Sequence, residues 1–223
     1  MTTDPAAVRT DSAGARHLVV MDVDSTLITG EVIELLADHA GTRAEVTDIT
    51  ERAMRGELDF TASLHARVAT LAGLPVTVLD DVLGAVVLSP GATELVAELA
   101  RRDWPLGLVS GGFVEVVAPL AARLGITRYR ANALEVADGV LTGRVRGPVV
   151  DRAAKAVFLR ELAAAEQIPL ERTVAIGDGA NDLDMLAAAG FGVAFNAKPV
   201  VSAQADAVLG ERLDEVLALS PFA

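Results

Sequence analysis

The chain has 223 residues, with 19 Lys+Arg against 31 Asp+Glu, a formal net charge of −12 and no cysteine. Hydrophobic residues make up 52% and aromatic residues 4%, so the chain can bury a core of Ala, Val and Leu and is not largely disordered. The acidic balance disfavours nucleic acid or an anionic membrane surface as partner, and the missing thiols exclude disulfides, iron–sulfur clusters, thiolate zinc sites and a thiol nucleophile.

Residues 1–16 contain no apolar signal-peptide core and are expected to be a disordered tail. No stretch nears the ~20 apolar residues of a membrane span, which points to a soluble, cytoplasmic protein. The first strand signal is His17-Leu-Val-Val-Met21, a short apolar run ending in Asp22, as a buried parallel strand does. Val32, Leu35, Leu36 and His39 fall at helical spacing, which predicts a helix with His39 on its apolar face, ended by Gly41. Thr42 followed by Glu45 predicts a capping box for a second helix through Val46, Ile49, Thr50 and Ala53. Phe60, Leu64 and Leu71 mark a third helix, ended by Gly73 and Pro75. Residues 30–88 are thus expected to be all-helical.

From Ser89-Pro90-Gly91 onward, helices alternate with apolar strands. A helix over about 91–101 precedes a strand from Trp104 to Val109, and one over about 113–124 precedes Tyr129 to Ala133. A hairpin turns at Asp138-Gly139. A helix over about 151–166 leads to the strand Thr173 to Ile176, then a short helix from about 180, the strand Phe191 to Phe195 and a closing strand–helix pair. The alternation predicts an α/β fold: a mostly parallel sheet with helices on both faces.

Such sheets bind ligands at the carboxyl ends of their strands. Polar residues gather there, in Asp22-Val-Asp24-Ser-Thr26, Ser110-Gly111-Gly112 and Gly177-Asp178-Gly-Ala-Asn181-Asp182. Acidic side chains around one pocket repel one another unless a divalent cation sits among them, and an oxygen-only donor set selects Mg²⁺ over zinc. Ser110-Gly111-Gly112 offers a hydroxyl and unhindered N–H groups to an anion at a strand-to-helix junction. Lys155 stands in the first turn of its helix, against the macrodipole, where a counter-charge for a phosphate could be placed. Arg67 interrupts the apolar stripe of Phe60, Leu64 and Leu71, so it either snorkels or has a buried anionic partner. No two of the three histidines fall at metal-ligand spacing.

The order Asp22-Val-Asp-Ser-Thr-Leu27, Ser110-Gly-Gly-Phe113, Lys155 and Gly177-Asp-Gly-Ala-Asn-Asp-Leu-Asp-Met185 resembles the haloacid dehalogenase superfamily of Mg²⁺-dependent phosphohydrolases. The resemblance runs over about residues 18–200. Glu31, the segment from Met54 through Phe60 to Val68, and the hairpin Asp138 to Gly143 are similar to the phosphoserine-hydrolysing branch. That likeness implies a HAD-like Rossmannoid core over 17–29 and 89–223, with 30–88 as a small helical cap that sets substrate choice.

The resemblance also implies roles. Asp22 would be the nucleophile that forms an aspartyl-phosphate, and Asp24 the general acid and then base. Mg²⁺ would be held by Asp22, the Asp24 carbonyl and Asp178, with Asp182 acting through a bound water. Ser110, the Gly111 N–H and Lys155 would hold phosphoryl oxygens, with Asn181 near the substrate. In the cap, Arg67 would clamp the carboxylate of O-phosphoserine and Glu31 its ammonium, with Met54 and Phe60 as apolar walls; Arg55 ranks below Arg67. The implied reaction yields L-serine and phosphate, the last step of L-serine biosynthesis, in a monomer or homodimer. Longer family members carry a regulatory domain before the first motif; feedback through one is not expected here. Two other readings stand beside this one. The first is a phosphomonoesterase or phosphotransferase of the same fold, acting on phosphoethanolamine, phosphocholine or a sugar phosphate, or using a homoserine acceptor. The second is a receiver domain phosphorylated on Asp, although receivers lack the helical insert after the first strand.

Overall fold

The computed structural model of the chain describes residues 16–55, 57–220 and 222, and of Met54 the backbone alone. Of the expected tail only Arg16 falls among these residues; its guanidinium bonds the Asp103 carbonyl (2.9 Å) and carboxylate (3.2 Å). The Met54 side chain lies outside the described residues.

The strands are β1 Leu18–Met21, β2 Leu106–Phe113, β3 Arg128–Ala137, β4 Val140–Arg146, β5 Thr173–Gly177, β6 Phe191–Phe195 and β7 Ala207–Leu209. They form one sheet in the order β4-β3-β2-β1-β5-β6-β7, parallel throughout except for the β3–β4 pair. After β1 comes a helical insert: α1 Val32–Ala40, α2 Arg43–Met54, α3 Phe60–Ala69 and α4 Val78–Ala85. Then α5 Ala92–Arg101, α6 Val114–Arg123, α7 Arg152–Ala165, α8 Leu183–Ala188 and α9 Pro199–Ser202 are interleaved with the strands. None of the helices among the described residues is long and apolar enough to cross a membrane.

β1 shows why the sheet must be covered on both faces. Its four residues are fully buried and alternate. Val19 and Met21 join a cluster with Leu95 and Leu99 of α5 and Val116 and Val117 of α6. Leu18 and Val20 join Phe158, Leu159 and Leu162 of α7 and Leu186 of α8. Burying each such side chain contributes about 1.5–3 kcal/mol.

Register brings the polar motifs together. Met21 is level with Leu108 of β2 and Ile176 of β5. Asp22 therefore lies one residue beyond a shared rung, and Ser110 and Asp178 two. The chain leaves β1 for β2 on one side and returns to β5 on the other, so these ends meet at the reversal in strand order, where open α/β sheets bind ligands.

Some local expectations change. His39 is exposed, because the buried face of nine-residue α1 is Val32, Ile33, Leu36 and Ala37. Thr42 makes no capping bond; its hydroxyl instead donates to Thr70 Oγ1 (3.3 Å) at the end of α3. β2 continues through Ser110-Gly111-Gly112 to Phe113, so that motif is strand rather than helix N-terminus. The strand expected from Tyr129 and the first hairpin arm are one strand, β3, parallel to β2 and then antiparallel to β4. The closing helix is a 3-10 segment, Leu213–Ala218.

The insert is tied to the hairpin by backbone bonds. Gly73 N–H donates to the Leu141 carbonyl (2.8 Å), Leu141 N–H to Leu74 (2.8 Å) and Val76 N–H to Gly139 (2.9 Å). The loop after α3 thus pairs along the hairpin, and α3 is held over the carboxyl edge of the sheet.

Candidate active site

Asp22 leaves β1 in extended conformation, and Val23–Leu27 coil into one wide turn with Ser25 in the left-handed region (φ 57°). The turn buries both acids: Asp22 is 3% exposed and Asp24 9%. Their surroundings differ.

Asp22 is turned to α7. Lys155, fully buried, donates from Nζ to Asp22 Oδ1 (2.5 Å) and Asp182 Oδ1 (2.7 Å). Its place near a helix N-terminus is eased by Asp151, whose carboxylate caps α7 by accepting from the Ala154 N–H (2.9 Å). Asp182 Oδ2 accepts from the Gly179 N–H (3.0 Å). Its carboxylate packs so closely on β5 that a Cβ on Gly177 would lie 2.6 Å from Oδ2.

Asp24 is held by other groups. Its Oδ1 accepts from the Val32 N–H (2.8 Å) and its Oδ2 from the Ser110 hydroxyl (2.8 Å), which itself accepts from the Gly112 N–H (2.7 Å). A Cβ on Gly112 would lie 2.5 Å from Asp24 Oδ2, so only glycine allows this approach.

Burial raises the Asp22 carboxyl well above its usual range; Lys155 opposes the rise, and Asp182, Asp24 and Asp178 add to it. Burial, then Glu31, pushes Asp24 up to about 6. Burial, then Asp182 and Glu31, pushes Asp178 up to about 7. Burial disfavours the Lys155 cation, but its two carboxylates outweigh that and keep it protonated. Asp22, Asp178 and Asp182 each offer an oxygen, all within 4.8 Å of one another. One ammonium does not balance three carboxylates, and a donor set made only of oxygens fits a hard divalent cation.

A cavity of about 620 Å³ opens over these groups. From the core, Asp22, Asp24, Gly111, Asp178 and Asn181 line it; from the insert, Glu31, Phe60 and Arg67. Ser110, Lys155 and Asp182 are fully buried behind this lining. Phe60 closes down on the core, its ring 3.0 Å from where a Cβ on Gly111 would stand. Arg67 is half-buried, donates from Nε to the Ser63 carbonyl (3.3 Å) and makes no ion pair among the described residues. Burial lowers its pKa, against Glu31, Asp24 and Glu34, which favour the cation. Glu31 Oε1 accepts from the Ser25 hydroxyl (2.9 Å). Arg55 is exposed and pairs with Glu57 and Glu51 outside the cavity.

Sequence reasoning missed Lys198, Arg152 and Asn132. Lys198 lies three residues beyond β6, lines the cavity and donates its N–H to the Asp178 carbonyl (3.2 Å); the strand-end rule applied to β6 would have found it. Arg152 lines the cavity and pairs with Asp184 (2.5 Å). Asn132 bonds the Gly111 carbonyl (2.8 Å) and the Val150 N–H (2.8 Å), a bracing role that no local pattern marks.

A haloacid dehalogenase-like hydrolase family profile matches residues 19–187. A phosphoserine phosphatase of Streptomyces coelicolor is 57% identical over 98% of this chain and 56% of its own length. One of Streptococcus thermophilus is 53% identical over 85% of this chain and 88% of its own. A solved structure, a phospho-aspartyl intermediate analogue of phosphoserine phosphatase, is similar with a TM-score of 0.86 and 41% identity, over 91% of this chain and 98% of that one. The chain spans about half the length of the longer curated relatives, 56% and 50%.

Proposed function

The chain belongs to the haloacid dehalogenase-like hydrolases, and we propose that it is a phosphoserine phosphatase working through a phosphoryl-aspartate on Asp22. The observation that carries this reading is the two-sided chemistry of the cavity. The core side presents the Asp22–Asp24 pair; the insert side presents Arg67, outside any ion pair among the described residues, beside Glu31. O-Phospho-L-serine is the complement: a phosphoryl group at one end, a carboxylate for a guanidinium and an ammonium for a glutamate at the other. The relatives named phosphoserine phosphatase support the same substrate.

In the first step a carboxylate oxygen of Asp22 attacks phosphorus, and the bond from phosphorus to the serine oxygen breaks as Asp24 gives that oxygen its proton. In the second, water attacks the phosphoryl-aspartate and its proton passes to Asp24, which releases phosphate and restores Asp22. A carboxyl near about 6 suits both duties at neutral pH. Ser110 and the Val32 N–H hold Asp24 in place for them. Lys155 offsets charge on Asp22 and, with two of its three protons on Asp22 and Asp182, has one left for a phosphoryl oxygen, which the Gly111 N–H also takes; Ser110 joins them by turning its single proton from Asp24 to the phosphoryl group when the ester is bound. Asn181 lies beside the substrate.

Mg²⁺ is the cation proposed for Asp22, the Asp24 carbonyl and Asp178, with Asp182 acting through a water; when bound it supplies charge neutralisation for an anionic nucleophile meeting a dianionic ester. Residues 30–88 serve as the cap, Phe60 as an apolar wall, over a core of 17–29 and 89–223. The test is phosphate release with Mg²⁺ from O-phospho-L-serine, phosphothreonine and phosphoethanolamine side by side. A strong preference for phosphoserine is expected. Comparable rates on phosphoethanolamine, which lacks the carboxylate, would overturn the substrate reading and leave only the catalytic pair.

A further inference from the structure

Ser25 is a non-glycine residue at φ 57° in the turn that carries Asp22 and Asp24, a conformation that persists only where its surroundings fix it. Its N–H donates to the Gly30 carbonyl (3.1 Å) and its hydroxyl to Glu31 Oε1 (2.9 Å). The N–H of the next residue, Val32, is bonded to Asp24 Oδ1 (2.8 Å). The backbone on either side of Glu31 is therefore pinned to the turn, at Ser25 on one side and at Asp24 on the other. Its carboxylate, however, receives no hydrogen bond among the described residues other than that from Ser25.

We propose that Ser25 is a positioning residue for substrate choice: it orients the Glu31 carboxylate toward the cavity as an ammonium acceptor, and so sets the preference for aminated phosphomonoesters. The proposal rests on the reading of Glu31 as the ammonium partner. A hydroxyl suits the task. It is a neutral donor that occupies one of the roughly four lone-pair sites of a carboxylate, so it fixes the group without cancelling its charge. A lysine or arginine there would cancel it. The positive φ closes the chain from Ser25 back to Gly30, and that closure brings the hydroxyl to Glu31.

The test compares Ser25→Gly, Ser25→Ala and Ser25→Asn with the unmodified chain. Glycine keeps the left-handed backbone without steric cost and removes only the side chain; asparagine tolerates that backbone and restores a donor. With Mg²⁺, kcat and KM are measured on O-phospho-L-serine and on its deaminated analogue, 3-(phosphonooxy)propionate. The Gly and Ala variants should lose about tenfold of their preference for phosphoserine, mostly through KM, with kinetics on the analogue within about twofold of the unmodified chain. Asn should recover part of the loss. Equal losses on both esters would assign Ser25 to the stability of the turn and overturn the proposal, and an unchanged preference would overturn it too. An unmodified chain with no preference between the two esters would instead remove the reading of Glu31, and the proposal with it, before any substitution is made.

Discussion

Lys155→Met keeps a long apolar stem and removes only the ammonium, which makes it a direct probe of the buried charge balance. Nζ has no solvent exposure and lies 2.5 Å from Asp22 Oδ1 and 2.7 Å from Asp182 Oδ1. Without it, three carboxylates with oxygens within 4.8 Å of one another have no cation between them. Removing one partner of a buried ion pair costs about 3–5 kcal/mol. In a chain of this length each kcal/mol moves Tm by about 2–4 °C, so the metal-free variant should melt roughly 6–20 °C below the unmodified chain. The gap should widen with rising pH, because protonation relieves the unbalanced carboxylates at low pH and is lost as pH increases. Excess Mg²⁺ should narrow it, since without the Lys155 cation beside them the carboxylates bind the ion more tightly than in the unmodified chain and gain more stability from it. Thermal unfolding followed by circular dichroism, in chelator and in Mg²⁺ at about pH 6 and about pH 8, reads all three effects. A chelator-treated variant melting within about 2 °C of the unmodified chain would refute the assignment of Lys155 as the offset to these acids.

Three further outcomes are expected. Asp22→Asn should abolish phosphate release from phosphoserine while leaving the far-ultraviolet circular dichroism spectrum unchanged, since the amide matches the carboxylate in shape but cannot attack phosphorus. Arg67→Ala should lower kcat/KM for phosphoserine about 10–100-fold, the loss of a charge-assisted hydrogen bond, and leave 4-nitrophenyl phosphate within about threefold; equal losses would remove the carboxylate clamp. Asp24 and Asp178, at about 6 and about 7, titrate above their ordinary value of 3.8, so in chelator they favour the folded state below about pH 4 and this stability is lost as pH rises through about 6–7. Added Mg²⁺ should oppose that decline by binding the carboxylate forms, and urea unfolding across the range, with and without chelator, checks both signs.

Parts of the site were legible because strand ends are legible. Apolar runs that stop at Asp22, Val109 and Ile176 mark where a parallel sheet exposes its carboxyl edge, and Asp22, Asp24 and Asp178 follow from that rule with no knowledge of tertiary contacts. The spacing of Phe60, Leu64, Arg67 and Leu71 likewise put an arginine on the inner face of α3, where it lines the cavity. What the sequence hid is pairing across long separations. Lys155 was visible only as a cation badly placed for its helix; that Asp22 and Asp182 hold it, 133 and 27 residues away, depends on how α7 packs. Ser110 read as an anion-binding hydroxyl, and its bond to Asp24 comes with a strand that continues to Phe113, four residues past its expected end at Val109. Thr42 and His39 failed for a related reason. A cap competes with any partner on a neighbouring helix, and the buried face of a short helix is set by what packs on it rather than by periodicity alone.

The central claim is that Asp22 carries the phosphoryl group. The chain is incubated with phosphoserine and Mg²⁺, quenched in acid and digested, and the modified peptide is identified by mass spectrometry. One phosphoryl group on the peptide containing Asp22, absent from Asp22→Asn, is the predicted result. A phosphoryl group on another residue, or full turnover by Asp22→Asn, would contradict it.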